Sequence, residues 1–350
     1  LAGPGAGGAF GELQASPWRQ IGMQFLFMGA TVGVVMGGVK AGLERLNKVL
    51  MPALALMLVG LLIYSVRLDG FRESAAFMFS FKAEKLTWGG VLEAVGHAFF
   101  TLSLGMGAII TYGSYLGTDR GLVRTTVAVC AVDTLVALTA GVVIFAVVFS
   151  HAGMEPSAGP GLMFATLPTL MADLPGARAV ASVFFLLVLF AALTSAISLL
   201  EVAVAYWDEK HGTRRGPTAL VIGLVVTAAG VPSALSTNVL ADVTVAGLTF
   251  LDVVDKLTSQ YVLPIGGMLT ALFLGWVLGP RAVRAIVGEG REFFAQGLLW
   301  CCRVVAPAAV LVIVAQTVWE DVRPAPAAEA VPAEPEGAAA PAEGGGAGGE

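Results

Sequence analysis

The sequence is poor in charge. Only 13% of its 350 residues are Asp, Glu, Lys or Arg, whereas a soluble domain carries roughly 25%. That shortage argues against a free-standing soluble fold. Cysteine is scarce as well. Cys130, Cys301 and Cys302 all fall in apolar segments, which excludes a disulfide framework and a zinc-ligand spacing. There is no basic arm, and Lys and Arg are scattered over short loops, so no nucleic-acid partner is expected. No nucleophile elbow, phosphate loop or zinc-binding helix motif is present. Ser103 and His97 stand six residues apart, on different helix faces, and form no local catalytic pair. The residues do not describe an enzyme.

What the chain does hold is apolar length. It is 57% hydrophobic, and runs of about 18 or more apolar residues recur, the mark of an all-α polytopic membrane protein. Eight spans are expected, over 21–39, 47–66, 91–115, 122–150, 177–206, 217–232, 247–278 and 296–318. Residues 67–90 and 151–176 read as longer loops, the second carrying "GPGLMFATLPTLMADLPG", whose turn residues predict a re-entrant or surface hairpin. From residue 324 to 350 the Ala/Pro/Glu/Gly composition cannot build a core and predicts disorder. There is no signal peptide, and residues 1–20, "LAGPGAGGAFGELQASPWRQ", resemble a loop in mid-protein, so an N-terminally incomplete chain is expected.

Loop charges predict the orientation. One set of loops holds eleven cations: Lys40, Arg45, Lys48, Arg120, Arg124, Lys210, Arg214, Arg215, Arg281, Arg284 and Arg291. The other holds seven (Arg19, Arg67, Arg72, Lys82, Lys85, Arg178 and Lys256) together with many acids. The first set is therefore expected on the cytoplasmic side.

Four features depart from plain lipid-spanning helices. "FFTLSLGMGAII" (99–110) puts Thr101, Ser103, Gly105 and Gly107 at mid-span. Each glycine lowers helix stability by about 1 kcal/mol relative to alanine. Small residues there serve either close helix packing or a broken helix whose bare carbonyls and amides bind a cation and a charged amino acid. In "FAALTSAISLL" (190–200), Ala191, Thr194 and Ser195 share one helix face. One carbonyl and two hydroxyls make an oxygen-only partial shell for a hard cation. The alternative is that the hydroxyls bond back to the preceding turn. Asp133 is an ionisable residue in an apolar span, a functional candidate by default, or else an acid near the membrane edge. Asp252 and Asp255 lie near the outer end of their span, as interfacial charges or part of a gate. Glu93 and His97, four apart on one face, suit a hydrogen-bonded pair better than a metal site.

Together these segments resemble the neurotransmitter:sodium symporters, the family that includes the bacterial leucine transporter, over residues 15 to about 320. "FFTLSLGMGAIITYGSY" is similar to the family's sixth helix and "LFAALTS" to its eighth. "GLERLNKVLMP" fits the Gly-x9-Pro pattern of its fifth helix, with Gly42 and Pro52, and "FATLP" (164–168) is similar to a family loop. The first span is then family helix four and the last helix eleven, in the eleven-helix form of bacterial members.

The resemblance implies a leucine-transporter-like inverted-repeat fold. Residues 21–66 are the last two helices of the first repeat, 67–90 an extracellular loop, 91–278 the second five-helix repeat with a broken helix at 91–115, and 279–323 the final helix region. It also implies sodium-coupled symport of a neutral, hydrophobic or aromatic amino acid across the inner membrane of a prokaryote. Two Na+ sites are implied: the first draws on Thr101 and Asp133, the second on Ala191, Thr194 and Ser195. Phe100, Thr101, Ser103, Gly105, Met106 and Leu199 contact the substrate. Phe100 is the lid and Asp255 the acidic half of the outer gate. Gly42 and Pro52 let the fifth helix loosen. Chloride is not expected, because Ala137 replaces the serine of chloride-dependent members. His97 stands where many members have glutamine and is a candidate pH-sensitive group, since histidine changes charge near neutral pH. Family helices one to three, with half of each sodium site, precede the first residue, so the chain alone is expected to be inactive. The competing expectation is a non-transporting remnant or an accessory, receptor-like relative.

Overall fold

A backbone in lipid must satisfy its own hydrogen bonds, which leaves helices as the structure for apolar runs of this length. The computed structural model describes residues 6–115, 121–151, 161–288 and 291–322. The tail expected to be disordered, Arg120 and much of the expected hairpin loop lie outside the described residues. Among those described, the helices are α1 (Ala6–Ala15), α2 (Pro17–Met36), α3 (Arg45–Ser65), α4 (Phe71–Phe79), α5 (Trp88–Thr101), α6 (Ala108–Ser114), α7 (Leu122–Phe149) and α8 (Leu167–Met171). They continue with α9 (Ala177–His211), α10 (Arg215–Leu235), α11 (Phe250–Lys256), α12 (Leu263–Leu272), α13 (Gly279–Val287), α14 (Glu292–Trp300) and α15 (Ala306–Val322). π-helical turns at Leu257–Val262 and Phe273–Leu278 join α11, α12 and α13, and one at Cys301–Val305 joins α14 to α15.

Among the described residues, six helical stretches are long and apolar enough to cross a membrane: Gly42–Ser65, Leu122–Phe149, Ala177–His211, Arg215–Leu235, Phe250–Val287 and Glu292–Trp319. The two other expected spans fall short for different reasons. In α2, Arg19, Gln20 and Gln24 dilute the apolar run. The span expected over 91–115 is interrupted at its centre and becomes α5 and α6.

The loops hold more structure than expected. Within 67–90, α4 packs on α7: Ser74 Oγ donates to the Val142 carbonyl at 2.8 Å, and Phe77 meets Phe145 edge-on. In place of turns breaking up 161–171 there is a π-helical turn followed by α8, whose Leu167, Leu170 and Met171 are buried. The segment read as an opening loop forms α1 and the start of α2, with Phe10 stacked on Phe164 at 5.6 Å.

α9 is the spine of the molecule. Its 35 residues span about 52 Å at 1.5 Å each. One end enters a core with Leu61 of α3, Val143 and Val147 of α7, and Leu167 of α8. The other packs Ile197, Leu200 and Val204 against Val32 and Val35 of α2 and Ala219 of α10. α10 meets α2 along small residues, Ala219, Gly223, Thr227 and Gly230, spaced to share one face. The fit is tight, since a Cβ at Gly223 would lie 2.3 Å from Val32 Cγ2. We therefore expect Gly223→Leu to destabilise the detergent-solubilised protein by about 1–3 kcal/mol, the usual cost of overpacking, read as a lowered midpoint of thermal unfolding.

Candidate functional site

The break in the span expected over 91–115 is a defined structure. α5 ends at Thr101, and α6 begins at Ala108. Between them Ser103, Gly105 and Gly107 have positive φ angles of 54°, 84° and 79°. Left-handed backbone is cheap for glycine and costly for most other residues. Leu104 N–H reaches back to the Phe99 carbonyl at 2.9 Å, and the next backbone bond is Thr111 N–H to the Gly107 carbonyl at 2.9 Å. The intervening amides, 105 to 110, donate to no backbone carbonyl among the described residues.

Packing holds the break open. A Cβ at Gly105 would lie 2.2 Å from the Leu263 carbonyl oxygen and 2.8 Å from the Gly267 nitrogen of α12. A Cβ at Gly266 would meet the Gly105 oxygen at 2.7 Å. Backbone thus sits on backbone. Gly107 caps α6 against Val202 of α9.

Thr101 and Asp133 are brought together, with Thr101 Oγ1 donating to Asp133 Oδ1 at 2.9 Å. They are 32 residues apart in sequence, so the contact is tertiary and does not follow from local spacing. Ala191, Thr194 and Ser195 share a face of α9 as expected. Thr194 Oγ1 donates to the Ala191 carbonyl at 2.9 Å, the back-bonding named above as the alternative. A hydroxyl in that geometry keeps its lone pairs, so it bonds the carbonyl and can still face a cation.

Phe100, His97 and Asp255 line one cleft of about 910 Å³ between α5, the α11–α12 rod and α15, with Glu93, Gln260 and Thr317 also on its walls. Asp255 accepts a bond from Ser259 Oγ at 3.1 Å. Asp252 instead caps α11, exchanging hydrogen bonds with Thr249. Of the two acids, only Asp255 therefore faces the cleft. Among the described residues no group of three His, Cys, Asp or Glu side chains forms a metal cluster around Glu93 and His97. Met106 is half-buried, while Leu199, Ala191 and Ser195 are exposed. Gly42 lies in a π-helical turn, Val39–Glu44, where a Cβ would be 2.2 Å from the Val34 carbonyl oxygen; Pro52 sits inside α3.

Sequence reasoning missed a second cluster. Glu201 on α9 is fully buried and ion-paired to Arg215 at the start of α10. Tyr115 at the end of α6 donates to Glu201 Oε1 at 2.7 Å, and Arg215 Nε donates to the Val35 carbonyl of α2 at 3.0 Å. Next to it, Tyr112 OH donates to Ser198 Oγ at 2.7 Å and Ser198 Oγ to the Thr194 carbonyl at 2.9 Å. Both tyrosines of α6 are thereby fastened to α9. The signal was present: Glu201 is an acid in an apolar run, the same criterion that singled out Asp133.

A family model for the sodium:neurotransmitter symporter family matches residues 16–328. The chain is 34% identical to the sodium-dependent transporter YhdH of Bacillus subtilis, covering 88% of this chain and 68% of that protein. It is 32% identical to a sodium-dependent transporter of Haemophilus influenzae, over 85% of this chain and 65% of that one. Among solved structures it is similar to MhsT in complex with L-phenylalanine, at 42% identity and a TM-score of 0.80, covering 89% of this chain and 71% of MhsT. The chain spans about two thirds of the length of the curated relatives it matches.

Removing one partner of a buried ion pair leaves the other uncompensated, at a cost of about 3–5 kcal/mol. We expect Arg215→Ala to lower thermal stability by that order. The double variant Glu201→Gln, Arg215→Gln should lose less than the sum of its single variants in a double-mutant cycle. Additive losses would show that the pair is not coupled.

Proposed function

Because the chain belongs to the sodium:neurotransmitter symporter family, we propose that it forms the ion- and substrate-binding core of a sodium-coupled symporter for a neutral amino acid with a hydrophobic or aromatic side chain. The family relatives are sodium-dependent transporters, and the helices make this a multi-pass membrane protein. The observation that carries the finer reading is the Thr101–Asp133 bond, made where α5 loses its helical backbone.

In this reading the first Na+ takes Thr101 Oγ1 and the Asp133 carboxylate as ligands. A hard monovalent ion suits oxygens, and a fixed carboxylate supplies the negative charge that a bound chloride would otherwise bring. Ala137 has no hydroxyl to hold a chloride. The second Na+ takes the Ala191 carbonyl with the Thr194 and Ser195 hydroxyls. The substrate lies along Phe100, Thr101 and Ser103, with its side chain toward Gly105, Met106 and Leu199. Methionine adapts to varied apolar shapes, and the similar MhsT structure holds phenylalanine. Phe100 closes over the substrate from the cleft that Asp255 and His97 also line.

Residues 91–278 act as one five-helix repeat, 21–66 as the last two helices of the other, and 279–323 as the final helix region. Helices outside this chain complete both sodium sites, in keeping with the exposure of Ala191, Ser195 and Phe100. Gly42 and Pro52 weaken the start of α3, since a proline removes one helical hydrogen bond, and so open the release path for the second ion. The similarity to transporters of Bacillus subtilis and Haemophilus influenzae supports reading the protein as one of a prokaryotic plasma membrane.

The test is uptake of radiolabelled L-phenylalanine into proteoliposomes by the transporter completed with its preceding helices. We expect saturable uptake that needs external Na+, and at least a tenfold drop in Thr101→Val and in Asp133→Ala, as for loss of a charge-assisted contact worth about 1.5–3 kcal/mol. Uptake that persists when choline replaces Na+ would overturn the reading. A second assay concerns His97. Sodium-driven uptake in His97→Gln and in the parent protein is compared between about pH 5 and 8, the range over which histidine changes charge. We expect the profiles to diverge, and parallel profiles would remove His97 from the coupling.

A further inference from the structure

A second crevice, of about 320 Å³, lies between the Phe273–Val287 stretch and the α14–α15 helix. Two helical rows face each other across it. One is Trp276, Pro280 and Arg284; the other includes Glu292, Gln296, Trp300 and Arg303. We propose that this crevice is a headgroup site for an anionic phospholipid, on the membrane face where the loop arginines gather.

Arg303 carries the argument. It lies eleven residues beyond Glu292, about 16 Å along an apolar helix. A cation in an apolar helix is costly and marks function by default; its long side chain reaches back toward the Glu292 end. Its Nε donates to the Gly275 carbonyl at 2.7 Å, and its guanidinium lies 5.1 Å from the centre of the Trp276 ring. Both contacts fix its direction, and neither neutralises its charge. No acid among the described residues pairs with it. Among the described residues lining the crevice there is one carboxylate, Glu292, and that is held by Arg284 at 3.2 Å. Guanidinium groups therefore stand at both ends of a space large enough for a glycerophosphate, and their planar forks match phosphate oxygens.

The walls point to a lipid rather than a free anion. Trp276 and Trp300 are 64% and 63% exposed, and tryptophan favours the level of lipid headgroups. From the crevice the exposed apolar surface continues along Phe273, Val277, Val304 and Val305. That surface suits acyl chains and offers nothing to inorganic phosphate. Basic pockets between membrane helices are a recurrent form of headgroup recognition.

The pair Arg284–Glu292 sets the competition. Both side chains are mostly exposed, at 60% and 69%, so the pair is weak. A phosphodiester displaces Glu292 from Arg284 and is repelled by it.

The test is native mass spectrometry of the whole chain in detergent with added phosphatidylglycerol or phosphatidylcholine. We expect phosphatidylglycerol to be retained in preference. Arg303→Gln and Arg284→Gln should each cut that preference about fivefold, as for one cation facing an anionic headgroup, and Glu292→Gln should raise it. Inorganic phosphate should not compete. Equal retention of the two lipids, displacement by inorganic phosphate, or an unchanged preference in Arg284→Gln would overturn the proposal. Arg284 is at the surface, so its variant tests the idea even if Arg303→Gln fails to fold.

Discussion

Everything at the candidate site depends on where a membrane-buried backbone is allowed to stop being a helix. Unpaired amides and carbonyls are tolerated at that depth only when protein covers them or a ligand pairs them. Here the covering is done by α12: Gly105 rests on the Leu263 carbonyl and Gly267 nitrogen with no room for a side chain. The left-handed geometry at Ser103, Gly105 and Gly107 is held by that contact as much as by the glycines' own freedom. With the break fixed, Thr101 at the end of α5 points to Asp133, and the amides that follow remain without backbone partners among the described residues.

The two halves of the broken helix are anchored to different elements. α5 leans on α12, α15 and, through Thr101, on α7. α6 is fastened to α9 through Tyr112–Ser198 and Tyr115–Glu201, and through Glu201 to Arg215 and the end of α2. Ser198 also donates to the Thr194 carbonyl, one turn from the Thr194–Ala191 bond. A change at the Ala191/Thr194/Ser195 face is thus one hydrogen bond away from the anchor of α6. That connection is a physical route from this face of α9 to the Glu201–Arg215 cluster. Glu201 and Arg215 form the strongest restraint on it, because a fully buried carboxylate cannot be left unpaired.

Much of the architecture was legible, for reasons that particular residues make plain. Apolar length identifies the spans, and the broken helix is visible because glycine and serine cluster at mid-span in 99–110. Asp133 stands out because charge in lipid is expensive. α2 looks like an ordinary span in sequence, but Gln24 turns a polar side chain to the Thr227 carbonyl of α10 and Gln20 one to Thr237 just beyond it. α4 and α8 look like loops in sequence because short helices carry too few periods for an apolar pattern. The Thr101–Asp133 contact bridges 32 residues and follows from no local spacing. It was expected only through the family resemblance. Glu201 and Arg303 were legible by the same rule as Asp133. Glu201 sits near the end of its expected span, where a charge passes for an interfacial one.

The central claim is that the break at 102–107 is a ligand site held ready by packing. Hydrogen exchange of the 105–110 amides in the complete transporter, followed by mass spectrometry in Na+ with L-phenylalanine and in K+ without it, tests that claim most directly. The account predicts slower exchange across this segment in Na+ with phenylalanine, and loss of that protection in Asp133→Ala. Identical exchange in the two conditions would contradict it.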